Sequence, residues 1–114
     1  MNVMIDEACL DTMQSLLGEQ FSDTLVFCIS EFERLEREVR ESLPVDLEAA
    51  TRNAHSLKSN AAQFGAMSLS DSAREVEMLL LQGDVNAAKD ALGGLSQQVI
   101  GSTAKLQQWL MANA

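Results

Sequence analysis

The chain has one histidine, His55, with a cation on either side of it: Arg52 three residues before and Lys58 three after. Ser59 follows at four. Residues three and four apart are surface neighbours on a helix, so these side chains share one small, polar, locally basic face. An imidazole is a competent nucleophile for a phosphoryl group because its neutral form is present near pH 7. Lys58 is a mobile cation able to neutralise oxygens of a group attached to His55. Phosphoryl transfer asks little more of a protein than positioning and charge stabilisation. The plain alternative is an ordinary solvated His and Lys, because a lone His-x-x-Lys is a short pattern.

The helix that must carry this face is legible. Leu47, Ala50, Ala54, Leu57, Ala61 and Phe64 recur at steps of three, four and seven and predict its buried stripe. At roughly 100° per residue, His55 falls about 140° from the centre of that stripe, on the open side. Ala62 and Gln63 continue the face one turn further on.

Five helical segments are expected, with no strand pattern and no solenoid repeat. The first runs from Asp6, its cap, to Leu17, with Gly18 ending it in a left-handed conformation. The second covers Glu19 to Leu43. Its first half is apolar on more than one face (Phe21, Leu25, Val26, Phe27, Ile29). Its second half is expected to be solvated, with pairs between Glu33 and Arg37 and between Glu36 and Arg40. Pro44 stops it. The third spans Asp46 to Gln63, with Gly65 just beyond. The fourth spans Ser68 to Gln82, and Ser68 with Asp71 has capping-box spacing. Gly83-Asp84 reads as a stop and then a start. The fifth runs from Val85 to about Trp109 along a seam of Val85, Ala88, Leu92, Leu95, Val99, Ser102, Leu106 and Trp109, with a possible kink at Gly93-Gly94 or Gly101. Short connections make successive helices antiparallel. The expected fold is therefore all-α: an up-and-down antiparallel four-helix bundle with an additional short N-terminal helix as a lid or brace.

Composition limits the functions open to such a fold. The 114 residues fit one domain, 1-114, and 46% of them are hydrophobic, enough for a core. The net charge of −9 repels phosphate backbones and anionic lipid, so neither nucleic acid nor membrane is expected as a partner. Cys9 and Cys28 read as buried free thiols, and with a single histidine they cannot complete a tetrahedral zinc site without carboxylates. No secretory leader and no membrane-length apolar run is seen, so the cytoplasm is the expected location. Trp109 and the six methionines are expected to serve packing.

The stretch Ala54-His55-Ser56-Leu57-Lys58-Ser59-Asn60-Ala61-Ala62-Gln63-Phe64-Gly65-Ala66 resembles the histidine phosphotransfer (HPt) family, whose pattern is His-x-x-Lys-Gly, a run of small residues, then Gly-Ala. The helix layout is similar over nearly the whole chain, and the chain resembles a standalone bacterial phosphorelay protein. The resemblance implies that His55 accepts a phosphoryl group from an aspartate on the receiver domain of a hybrid sensor kinase. It would pass the group to an aspartate on the receiver of a response regulator. It also implies that Lys58 stabilises the phosphoryl group and that Gly65 allows close packing beyond the histidine helix. No cofactor and no ATP site are implied on this chain, since the receiver partner brings Mg²⁺ and completes the transfer site. The chain would be a carrier rather than an enzyme, and a monomer is expected. The family usually has glycine where Ser59 stands. Serine is a mild replacement, its hydroxyl can bond a phosphoryl oxygen, and some members from bacterial quorum-sensing relays look similar there.

The supporting residues on this reading are Ser59, Gln63 and Gly65. Arg52, Ser56 and Phe27 are candidates for docking the partner, with the apolar surplus at Phe21, Leu25 and Phe27 either an interface or simply covered by the first helix. Glu77 is expected as a solvated glutamate, with a hydrogen bond to the imidazole as the alternative. The competing function is a non-catalytic helical-bundle module, a degenerate HPt that binds a signalling partner. An enzyme in its own right lacks a Gly-rich phosphate loop and an obvious second titratable partner for His55.

Overall fold

The computed structural model describes residues 2–113, and among these the regular structure is helical. Five α-helices follow in order: α1 (Glu7–Leu17), α2 (Phe21–Ser42), α3 (Leu47–Gln63), α4 (Met67–Leu81) and α5 (Val85–Asn113), with a short 3₁₀ turn at Gly18–Gln20. α2 packs on α3, α3 on α4, α4 on α5, and α5 back on α2. The core inside this ring is Phe32, Leu35 and Val39 from α2, Ala54 and Leu57 from α3, Leu69 and Val76 from α4, and Leu95 and Leu106 from α5. Fully burying one such leucine or phenylalanine stabilises the fold by about 1.5–3 kcal/mol.

Aspartates start three of the helices as expected. Asp6 accepts from Cys9 N at 3.3 Å, Asp46 from Ala49 N at 3.1 Å and Asp84 from Ala87 N at 3.1 Å. Each cap is worth about 1 kcal/mol. Gly83 has φ +77° and closes α4 in the left-handed region. α1 also ends at Gly18, but its ψ of −126° sends the chain into the 3₁₀ turn instead of a regular left-handed cap.

α4 starts differently from the expected capping box. Ser68 does not cap it, and Asp71 instead faces Arg74 at 3.4 Å. The N-terminal segment supplies the cap from the backbone. The Met4 carbonyl accepts from Met67 N at 3.0 Å and from Ser68 N at 3.4 Å, which leaves the Ser68 hydroxyl to accept from Met4 N and donate to Gln98. The segment continues as a strap. Ile5 bridges Ala66, Asp6 N donates to Gly65 O at 2.7 Å, and Val3 crosses α5 where Gly101 has no side chain. A Cβ at Gly101 would lie 2.5 Å from Val3 Cγ2, so this glycine accommodates a crossing strap; α5 runs unbroken through all three of its glycines.

Other expectations are corrected. Leu47 opens α3 directly after its cap, where the stripe runs off the end of the helix, and is 42% exposed; Ala50, Ala54, Leu57, Ala61 and Phe64 are buried as the stripe requires. Glu36 does pair with Arg40, at 2.6 Å, but it is buried against α5 and also accepts from Ser96, so this half of α2 is not all solvated. Glu33 and Arg37 form no ion pair among the described residues; Arg34 pairs with Glu31 and Glu38 instead. Met4, Met67, Met78 and Met111 are exposed, with only Met13 partly buried on the core, and Met1 lies outside the described residues. Trp109 does pack, edge-on against Phe21 with ring centroids 5.6 Å apart. Both cysteines are free, Cys28 buried and Cys9 only partly so.

Candidate functional site

The site is built on the outer face of α3 and completed by α4. Ala54 and Leu57 anchor α3 in the core on either side of His55, so the histidine side chain is forced outward and is 58% exposed. One turn along, Lys58 is more enclosed, its side chain 27% exposed. Between them, from α4, comes Glu77. Its Oε2 lies 2.6 Å from His55 Nδ1 and its Oε1 2.8 Å from Lys58 Nζ.

The solvated placement of Glu77 is thereby corrected: its side chain is only 11% exposed, and it is the second titratable partner of His55 that the sequence did not make obvious. A signal for it existed. Ser70, Ala73, Glu77 and Leu80 follow one another at steps of three and four along α4, and all are buried. An acid in a buried stripe needs cationic or hydrogen-bonding partners. Burial pushes the Glu77 carboxyl up, but the hydrogen bonds from Lys58 and His55 and their charges outweigh it and hold the group below the ordinary carboxylate value. Glu77 is therefore ionised near neutral pH and accepts from both neighbours. A second tie fixes α4 against α3: Ser70, seven residues before Glu77 on the same face, donates to the Lys58 carbonyl at 3.0 Å.

On its other side His55 borders a shallow groove between α2 and α3. Arg52, Ser56 and Ser59 line it from α3, and Glu31, Arg34 and Leu35 from α2. The fold thus brings Arg52, Ser56 and Ser59 beside His55, as the helix spacing requires. Gln63 is exposed but eight residues beyond His55, about 12 Å along the helix axis. Its carbonyl accepts from Cys9 Sγ at 3.3 Å. Gly65 lies past the helix end with φ +77°, where a Cβ would stand 2.8 Å from Asp6 O. Close packing at Gly65 is thus packing against the strap, away from the imidazole. Phe21 and Leu25 are buried, so most of the apolar surplus on α2 belongs to the core. Phe27 is 65% exposed; it stands one turn before Glu31 and outside the groove lining.

A basic and nucleophilic face, an ionised acid behind it and an open groove suit reversible attachment of an anionic group. A family model, the Hpt domain, matches residues 7–109. The chain belongs to the Hpt family. That membership gives it a histidine-phosphotransfer role in a phosphorelay. Among solved structures, histidine-containing phosphotransfer protein B (HptB) from Pseudomonas aeruginosa is similar, with a TM-score of 0.86 and 20% identity over 91% of each chain. The histidine-containing phosphotransfer protein ZmHP2 from maize is also similar, with a TM-score of 0.81 and 19% identity over 95% of this chain and 90% of the maize one. At such identities the likeness is one of fold. No curated protein matches the chain significantly.

Proposed function

We propose that His55 is the residue of this Hpt domain that takes up and gives away the phosphoryl group. One observation carries the reading: the chain has a single histidine, and it stands exposed on α3 at the edge of an open groove. The donor would be an aspartyl phosphate on the receiver domain of a hybrid sensor kinase, and the final acceptor an aspartate on the receiver of a response regulator. Lys58 stabilises the transferred group by a charge-assisted hydrogen bond. Ser59 offers a hydroxyl at the groove. Gln63 and Gly65 support the end of α3 at a distance.

The protein acts on this reading as a carrier with no ATP site, and Mg²⁺ belongs to the receiver that completes the transfer site. Arg52 and Ser56 dock the receiver around the groove, and Phe27 gives it an apolar contact. The ring of helix contacts and the short connections support an up-and-down antiparallel four-helix bundle, with α1 as an added brace and residues 1–114 as one unit. No helix among the described residues is long and apolar enough to cross a membrane. On this reading the protein works as a cytoplasmic monomer whose partners are receiver domains and not nucleic acid. A module that only bound a partner would need neither Lys58 nor Glu77 turned toward His55.

The test is transfer from a radiolabelled receiver domain with Mg²⁺, using several hybrid-kinase receivers and His55→Gln as control. Acid-labile, base-stable label on the wild type alone is the expected result. A folded wild type that takes no label from any donor would leave the binding-only module as the better account.

A further inference from the structure

We propose that Arg34 of α2 is a phosphoryl-binding residue with two partners: it pairs with Glu31 while His55 is free, and it turns across the groove to the phosphoryl oxygens once His55 is loaded. The proposal rests on the reading of His55 as the acceptor.

The sequence sets Arg34 between two acids, Glu31 three residues before it and Glu38 four after, so all three share one face of α2. Arg34 Nε donates to Glu31 Oε2 at 2.8 Å and Nη2 donates to Oε1 at 3.0 Å, while Nη1 lies 3.8 Å from Glu38. The guanidinium fork is closed, and its charge is cancelled within its own helix. Leu35, the next residue, is buried and holds this turn of α2 on the core. Arg34 and His55 therefore line one groove from opposite walls. Packed helices lie about 8–10 Å apart, a span that a guanidinium on a flexible stem can cross.

Magnitudes decide which partner wins. The Arg34 side chain is 44% exposed and that of Glu31 22%. An ion pair so open to water is worth only about a factor of 1.5–5 in an equilibrium. The hydrogen bonds from Arg34 hold the Glu31 carboxyl below the ordinary carboxylate value against a smaller upward push from burial, so Glu31 competes with one negative charge. A phosphoryl group on His55 brings about two negative charges and three acceptor oxygens. The guanidinium fork fits phosphoryl oxygens as well as it fits a carboxylate. One charge-assisted hydrogen bond shifts an equilibrium about tenfold, so the loaded histidine outcompetes Glu31.

The other cations of the site do not change partners in this way. Lys58 has three N–H donors and can serve the phosphoryl group without leaving Glu77. Arg52, on the α3 wall, forms no ion pair among the described residues and presents its charge in both states. Arg34 is held back until the group arrives, so its bond favours the loaded state alone. Once it turns, Glu31 is left bare on the α2 wall, and the groove shown to a receiver differs between the empty and the loaded carrier.

The experiment is NMR of the full chain before and after loading with phosphoramidate, at about pH 8. In loading, an imidazole nitrogen of His55 attacks phosphorus, the P–N bond of phosphoramidate breaks, and its electron pair leaves with a proton as ammonia. The first readout is the ¹³C resonance of the Glu31 side-chain carboxylate, assigned with Glu31→Gln. On loading it should move to the position it holds in Arg34→Ala, where Glu31 has lost its partner. The second readout is the ³¹P titration of the loaded group, whose second ionisation lies near pH 6–7. A cation bonded to the dianion favours that form, so Arg34→Ala should raise this ionisation by about one pH unit, the equivalent of tenfold. Arg34→Lys keeps the charge without the fork and should recover part of the shift. Far-UV circular dichroism verifies folding. A Glu31 resonance that stays in place on loading, or a ³¹P titration unchanged in a folded Arg34→Ala, would overturn the proposal alone, provided His55→Gln takes up no phosphorus. If His55→Gln were still loaded, the acceptor reading itself would fail and this proposal with it.

Discussion

Gly65→Ala separates the cost of a left-handed backbone from the cost of a close contact, because the molecule contains its own control. Gly65 and Gly83 share φ +77°, yet a Cβ at Gly65 would lie 2.8 Å from the Asp6 carbonyl oxygen, whereas one at Gly83 would meet nothing within 4 Å. Forcing alanine into the left-handed region costs about 1–2 kcal/mol at either site. Any gain from a stiffer unfolded chain is shared and cancels in the comparison. At Gly65 the strap must also move, straining the Asp6 N to Gly65 O hydrogen bond of 2.7 Å, a further loss of about 0.5–1.5 kcal/mol. For a chain of 114 residues, 1 kcal/mol corresponds to about 4 °C in Tm. Thermal unfolding followed by circular dichroism should therefore give a fall of about 4–8 °C for Gly83→Ala and about 6–14 °C for Gly65→Ala, the latter larger by about 2–6 °C. Equal falls would refute the argument, since the approach of the strap to Gly65 would then contribute nothing. Phosphoryl uptake well below Tm should be unchanged in both variants, because neither glycine touches His55.

Three further outcomes are expected. Lys58→Ala should slow transfer about tenfold without abolishing it, by loss of one charge-assisted hydrogen bond; unchanged single-turnover rates would mark the lysine as a structural partner of Glu77 only. Phe27→Asp should leave stability within about 0.5 kcal/mol, since the site is exposed, while raising the receiver concentration needed for half-maximal transfer; no change in that concentration would remove Phe27 from the docking surface. Glu77 has a folded-state pKa below its ordinary value of 4.5, so the stability it contributes is fully present above that pH and is lost as pH falls through the folded value. The gap in urea midpoint between wild type and Glu77→Gln should therefore be constant near neutrality and narrow below about pH 4.5. A gap independent of pH would mean that the carboxylate charge adds nothing to folding.

Local chemistry made much of this legible in the sequence. The Asp6, Asp46 and Asp84 caps, the Gly83 stop and the α3 stripe each depend on a few adjacent residues, and His55 faces outward because Ala54 and Leu57 must face inward. What escaped was whatever depended on the register between elements. Glu77 meets His55 and Lys58 only because α4 lies at one particular height along α3, and no helical period contains that height. Glu36 looked like one charge among many until α5 set Ser96 against it. Ser68 carried a sound local capping signal, but a carbonyl 64 residues earlier, on Met4, took over the cap. A backbone donor or acceptor from a distant segment leaves no trace in side-chain patterning.

The strap has a consequence for how the chain folds. Its bonds reach from Met4 to Ser68, from Asn2 to Gln98 and from Val3 to Lys105, sequence separations of 64, 96 and 102 residues. Contacts between successive helices close much shorter loops, and the entropy of loop closure must be met before distant contacts can form. The strap should therefore dock late, onto helices already assembled, and substitutions in it should mainly speed unfolding and leave the folding rate nearly untouched. Hydrogen exchange should find the amides of Asp6 and Met67 opening together, below the free energy of global unfolding, while the amides around His55 keep their protection.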